Sequence, residues 1–154
     1  MYRFHLGRSS LISSKAIFAG ISLKIILSCY VRFASALAWH ALQTARALHE
    51  RGHEVMLFCQ SGSPLAEWTR SDSFRTDDSM NLNRSNPKEI ILGIRRFRRA
   101  IREFQPDLLN PHCPPGHSYF AIARKLERSR IPIVRTVAEP RFPKNNAVNR
   151  YLHE

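Results

Sequence analysis

Short apolar runs alternate with longer segments whose apolar residues recur every three or four positions, and this alternation limits the folds open to the chain. Residues 23–29 form a nearly continuous apolar run, the pattern of a strand covered on both faces. Residues 37–51 read as a helix, because Leu37, Ala38, Ala41, Leu42, Ala45 and Leu48 fall on one face. Gly52 follows as a C-terminal cap, with Arg46, His49 and Arg51 near the negative end of the helix. Residues 54–59 are a second apolar strand. The turn Ser61-Gly62-Ser63-Pro64 then starts another helix, with Ser63 as cap and Pro64 in its first turn. Residues 70–87 are polar and read as a long loop. A helix follows over 88–104, where Ile90, Ile94, Phe97, Ile101 and Phe104 make a core-facing seam, and Gln105-Pro106 ends it. A short strand at 107–110, a loop at 111–115, a helix at 116–129 and a strand at 131–137 complete the pattern. A last amphipathic turn is expected at 146–152.

Strands separated by helices pair in parallel through right-handed crossovers. The expected fold is therefore α/β: an open, mostly parallel Rossmann-like sheet with helices on both faces. With 154 residues there is room for one domain and hardly two. It is expected over 23–154, after a basic extension at 1–22 expected to be disordered. That extension is Ser-rich and free of acids; a secretory or organelle-targeting segment would share those traits. No apolar run reaches the ~18 residues that a membrane span needs. Cys29, Cys59 and Cys113 are too few and too scattered for a disulfide framework, and are expected as buried thiols in a reducing cytosol. Lys and Arg number 24 against 12 for Asp and Glu, so the net charge is +12 and the partner is expected to be anionic: nucleic acid, a lipid surface or a phosphorylated substrate.

Ligands of such sheets bind beyond the carboxyl ends of the strands. That rule selects the loops at 30–36, 60–64, 111–117 and 138–144. The first lacks the G-x-G-x-x-G pattern, so a dinucleotide is not expected there. In the third, His112 lies just past a strand end, where a neutral imidazole can bond a sugar hydroxyl, and Gly116 opens a helix whose N-terminus can meet an anion. His112, Cys113 and His117 lack a fourth ligand and a standard zinc spacing, so no metal site is assigned. Around the fourth loop, which also carries Glu139, Arg135, Arg141 and Lys144 suit phosphate or carboxylate recognition, or form a solvated basic loop.

Four stretches taken in order resemble the N-terminal half of family-four glycosyltransferases of the GT-B architecture. They are LQTARALHERGHEVMLF (42–58), GSPLAE (62–67), QPDLLNPH (105–112), and IVRT (133–136) with NRYL (149–152). The resemblance implies a retaining transferase that moves a sugar from a nucleotide-activated donor to an acceptor, in bacterial cell-envelope polysaccharide synthesis. It implies that this domain binds the acceptor, and the fourth-loop residues Arg135, Glu139, Arg141 and Lys144 are the expected acceptor contacts. His112 matches a cleft histidine and is the expected catalytic residue, with Asn110 in place of the first histidine of the family's H-x-H. Ser35-Ala36 replaces a Gly-Gly pair, which leaves Ser35 and Gly116 as the weaker cofactor contacts.

No cofactor is expected on this domain itself; the nucleotide-sugar donor belongs to a C-terminal domain that the chain is expected to lack. The implied partners are that missing domain or a separate subunit, a sugar or lipid-linked acceptor, and an anionic membrane surface facing Arg95, Arg96, Arg98, Arg99 and Arg102. A cytoplasmic location follows, with peripheral attachment to the inner face of the membrane as its extension. The alternative is a basic Rossmann-like module that binds nucleic acid or another anion without catalysis. No nucleic-acid motif is present to support it.

Overall fold

A computed structural model describes residues 20–81, 86–137, 147, 150 and 151. The elements run β1 (Lys24–Cys29), α1 (Ala36–Glu50), β2 (Glu54–Gln60), α2 (Pro64–Trp68), β3 (Arg75–Met80), α3 (Pro87–Phe104), β4 (Leu108–Pro111) and α4 (Pro114–Leu126). The four strands form one sheet in the order β3-β2-β1-β4. Every pairing is parallel: Lys24 to Cys29 lie opposite Glu54 to Cys59, and Ile25 lies opposite Leu108.

The caps are those the sequence supplies. Ser35 accepts from the Ala38 N–H at 3.2 Å to start α1, and Ser63 accepts from Ala66 at 3.3 Å to start α2. Gly52 follows α1 with φ +88°, a conformation that other residues reach only with strain.

Two readings need correction. Residues 70–87 are not one long loop, because β3 lies within them. Its sequence, RTDDSM, has a single buried residue, Met80, and so shows no apolar alternation. An edge strand pairs on one side only and needs little burial. Helix α4 begins at Pro114 rather than Gly116, with Cys113 as its N-cap and two prolines in its first turn.

Segment 131–137 runs alongside β4, as expected for a strand, but irregularly. It pairs through a bridge between Leu109 and Ile133 and through Val134 N–H to Leu109 O (2.9 Å) and Thr136 N–H to Pro111 O (3.0 Å). Most of the expected extension at 1–22 and part of the expected turn at 146–152 lie outside the described residues; 147, 150 and 151 are helical.

Strand side chains alternate between two layers. Ile25, Leu27, Cys29, Val55, Leu57 and Cys59 pack with Ala38, Ala41, Leu42 and Ala45 of α1. Ile26, Met56, Phe58 and Leu109 pack with Phe97, Ile101 and Phe104 of α3 and Tyr119, Phe120 and Ala123 of α4. All three cysteines are buried free thiols. Burial pushes Cys29 and Cys59 up to about 12, which leaves little reactive thiolate at neutral pH.

Candidate functional site

The carboxyl ends of β1 and β4, the first turns of α1 and α4, and segment 131–137 meet around His112. The residue is 2% exposed, and its backbone N–H donates to Ser28 O at 2.8 Å, which ties the loop to β1. The Asn110 amide nitrogen donates to the Val134 carbonyl and to Thr136 Oγ1, the latter at 3.2 Å. A carbonyl can only accept, so this contact orients the amide. Asn110 Oδ1 is left facing His112 Nε2 at 2.8 Å. An amide oxygen also only accepts, so His112 must carry its proton on Nε2. Nδ1 is then a lone pair, and it is buried without a partner.

A buried acceptor left unpaired costs about 1–3 kcal/mol, a cost that a purely structural histidine does not need to carry. Burial, and secondarily the charge of His40, lower the His112 pKa from 6.5 to about 4, so the ring stays neutral at physiological pH. His40, on α1, lies with its ring centroid 5.4 Å from that of His112 at a tilt of 50°. The sequence reading missed it because it sits inside an alanine-rich helical repeat. Its place one turn past Ser35, at a helix start beside a strand end, was the signal available.

Three of the other residues expected at this site, Ser35, Gly116 and Arg135, are among the described residues. Ser35 spends its hydroxyl on capping α1. Gly116 is buried against β1: a Cβ there would stand 2.4 Å from Ser28 Oγ, so its lack of a side chain serves close packing of helix on strand. Arg135 is half-buried with an unpartnered Nε, and its charge acts on Cys113. Burial raises the Cys113 pKa, opposed by hydrogen bonds from the Tyr30 and Gly116 backbone and by Arg135. Glu139, Arg141 and Lys144 lie outside the described residues. Among the described residues, no three His, Cys, Asp or Glu side chains converge as a metal site would require.

The arginines of α3 are largely engaged within the chain. Arg96 pairs with Asp77 at 3.2 Å, Arg99 with Glu103 at 2.7 Å, and Arg98 and Arg102 share Glu127 at 2.5 and 3.1 Å. A groove of about 580 Å³ between α3 and β3 is lined by Met56, Phe58, Arg75, Asp77, Arg95 and Arg96 among others. It lies over a face of the sheet, whereas His112 lies at the strand ends. No helix among the described residues is long and apolar enough to cross a membrane.

The family model for Glycosyltransferase Family 4 matches residues 37–147. The chain belongs to that family. The fold is that of the family's N-terminal GT-B domain, as the sequence resemblance implied. It is shared with a glycosyltransferase from Rickettsia africae ESF-5 (TM-score 0.64, 16% identity, covering 80% of this chain and 32% of that one). It is shared also with Anabaena Alr3699/HepE in complex with UDP (0.59, 13%, 84% and 34%). A third is the lipopolysaccharide outer core galactosyltransferase WaaB (0.56, 14%, 72% and 32%). The chain thus spans about a third of the length of these structures. No curated protein sequence matches it significantly.

Proposed function

We propose that this domain forms the acceptor-side half of the cleft of a retaining, nucleotide-sugar-dependent glycosyltransferase. The observation that carries the reading is the buried lone pair on His112 Nδ1, fixed from the far side by Asn110 and Thr136. Such an atom accepts a hydrogen bond from a sugar hydroxyl and offers no competing donor. His112 is the catalytic residue of this reading, bonding a hydroxyl in the closed cleft, and Arg135 lies close by for an anionic group on the acceptor. Transfer requires a nucleotide-sugar donor held by a donor-binding domain beyond these 154 residues, or by a separate subunit. The partial coverage of the structural neighbours supports this requirement. WaaB's role in the lipopolysaccharide outer core supports a cell-envelope acceptor, sugar or lipid-linked. Attachment to anionic lipid through α3 has the weaker support, because Arg96, Arg98, Arg99 and Arg102 are already paired and Arg95 alone of the five has no ion pair among the described residues.

The test is complementation. The purified 154-residue protein alone should turn over no nucleotide sugar. With a donor-binding domain that restores transfer, His112→Ala should lower the rate by about 10²-fold or more, the scale of losing one positioned polar group. Full activity in that variant, or turnover by the isolated chain well above the His112→Ala control, would refute the reading.

A further inference from the structure

We propose that His40 is a positioning residue for His112: its ring packs beside the buried imidazole and shields it from water, with Nδ1 left open to receive a hydroxyl. The proposal rests on the reading of His112 as a site residue and adds to it a residue from a different element.

His112 is restrained on one side only. Asn110 holds Nε2, and no bond among the described residues holds Nδ1. The one ring beside it among those residues is His40. His40 is exposed, yet its backbone is firmly placed. Ser35 caps the helix one turn before it, Thr44 Oγ1 donates to its carbonyl at 2.8 Å, and the neighbouring Trp39 packs edge-on against Trp68 at 5.8 Å. These are anchors of α1 as a body, so the imidazole is held beside the His112 ring by the helix.

The surrounding elements bring other groups near. Segment 131–137 contributes Thr136 and Arg135, β1 contributes Ser28, Tyr30 follows it, and Cys113 caps α4. Among them, His40 is the group whose charge acts on His112, while the charge of Arg135 acts on Cys113. Two imidazoles at this spacing do not readily hold two protons. A charge on the outer ring opposes protonation of the inner one, adding to the larger effect of burial. The outer histidine is thus a shield against water and an electrostatic guard of the inner lone pair.

Histidine-labelled NMR on the full 154-residue protein tests both roles, comparing the wild type with His40→Ala and His40→Phe. His40→Ala removes wall and charge, and should raise the proton affinity of His112 by about tenfold or more, while Asn110 keeps the proton of the neutral ring on Nε2. Diethyl pyrocarbonate should then modify His112 at least several-fold faster. His40→Phe keeps the wall, so slow modification should persist. An unchanged titration and modification rate of His112 in His40→Ala would overturn the proposal. If His40→Ala shifts the titration while His112→Ala leaves the complemented transferase fully active, the positioning role stands and the catalytic reading of His112 falls.

Discussion

The two faces of the sheet are built from different materials. On the α1 face the helix contributes mainly alanines, Ala38, Ala41 and Ala45, around a single large residue, Leu42. On the α3 and α4 face the core is aromatic. Phe97 stands at its centre, with ring centroids 4.7 Å from Phe58, 4.6 Å from Phe120, 6.1 Å from Tyr119 and 6.3 Å from Tyr30. Small side chains let a helix backbone approach the strands, and α1 carries its first turns up to the strand ends where His112 lies. Large rings supply buried area and interlocking contacts instead. One face sets the position of the site; the other supplies most of the cohesion.

If that division is right, Phe97→Ala is the most damaging of the substitutions considered. It should cost about 3–5 kcal/mol in urea unfolding, since a fully buried ring with four aromatic neighbours leaves a cavity that cannot collapse. A loss under 1 kcal/mol would mean that the aromatic face is not the main source of stability.

The next effect belongs to the edge where the faces meet. Folded His112 resists protonation down to about pH 4, whereas the unfolded chain takes up the proton below about 6.5. The unfolded state therefore binds more protons between these values. The stability contributed by neutral His112 is fully present above about 6.5 and is lost progressively as pH falls toward 4, by roughly 3 kcal/mol at most. Unfolding free energies measured across that window should fall with acidification in the wild type and fall less steeply in His112→Gln. Parallel curves would remove His112 from the account.

The smallest of the three sharpens the contrast from the α1 side. Ala45→Leu adds volume where the helix lies against the sheet and should cost about 1–3 kcal/mol through overpacking. A neutral outcome would show that the alanine face is loosely packed, and that close approach is not what places α1.

Much of this arrangement was legible in the sequence, for particular reasons. Strands β1 and β2 are buried on both faces and read as unbroken apolar runs; α3 carries its seam through Ile94, Phe97, Ile101 and Phe104, whereas Ile90, expected in that seam, is exposed near the helix start. The place of His112 just past a strand end, where parallel sheets put ligands, was legible too. The order of the strands and the existence of β3 were not. Neither was the sharing of Glu127 by Arg98 and Arg102, since that contact joins residues 29 and 25 positions apart and leaves no periodic trace. His40 was hidden for a related reason: a helix repeat shows which face is apolar, but not which loop its first turn will overlie.

The polar sequence that conceals β3 also bears on self-association. Among the described residues β3 forms an edge of the sheet, and an open edge carries backbone groups free to recruit a strand from another molecule. Arg75 and Asp78 are exposed along it, Asp77 is tied to Arg96, and its pairing with β2 shifts register between Phe58 and Gln60. Charge and an irregular outline make this margin a poor template for a flat incoming strand. The same residues that give up the apolar signature of a strand guard the protein against polymerising through it.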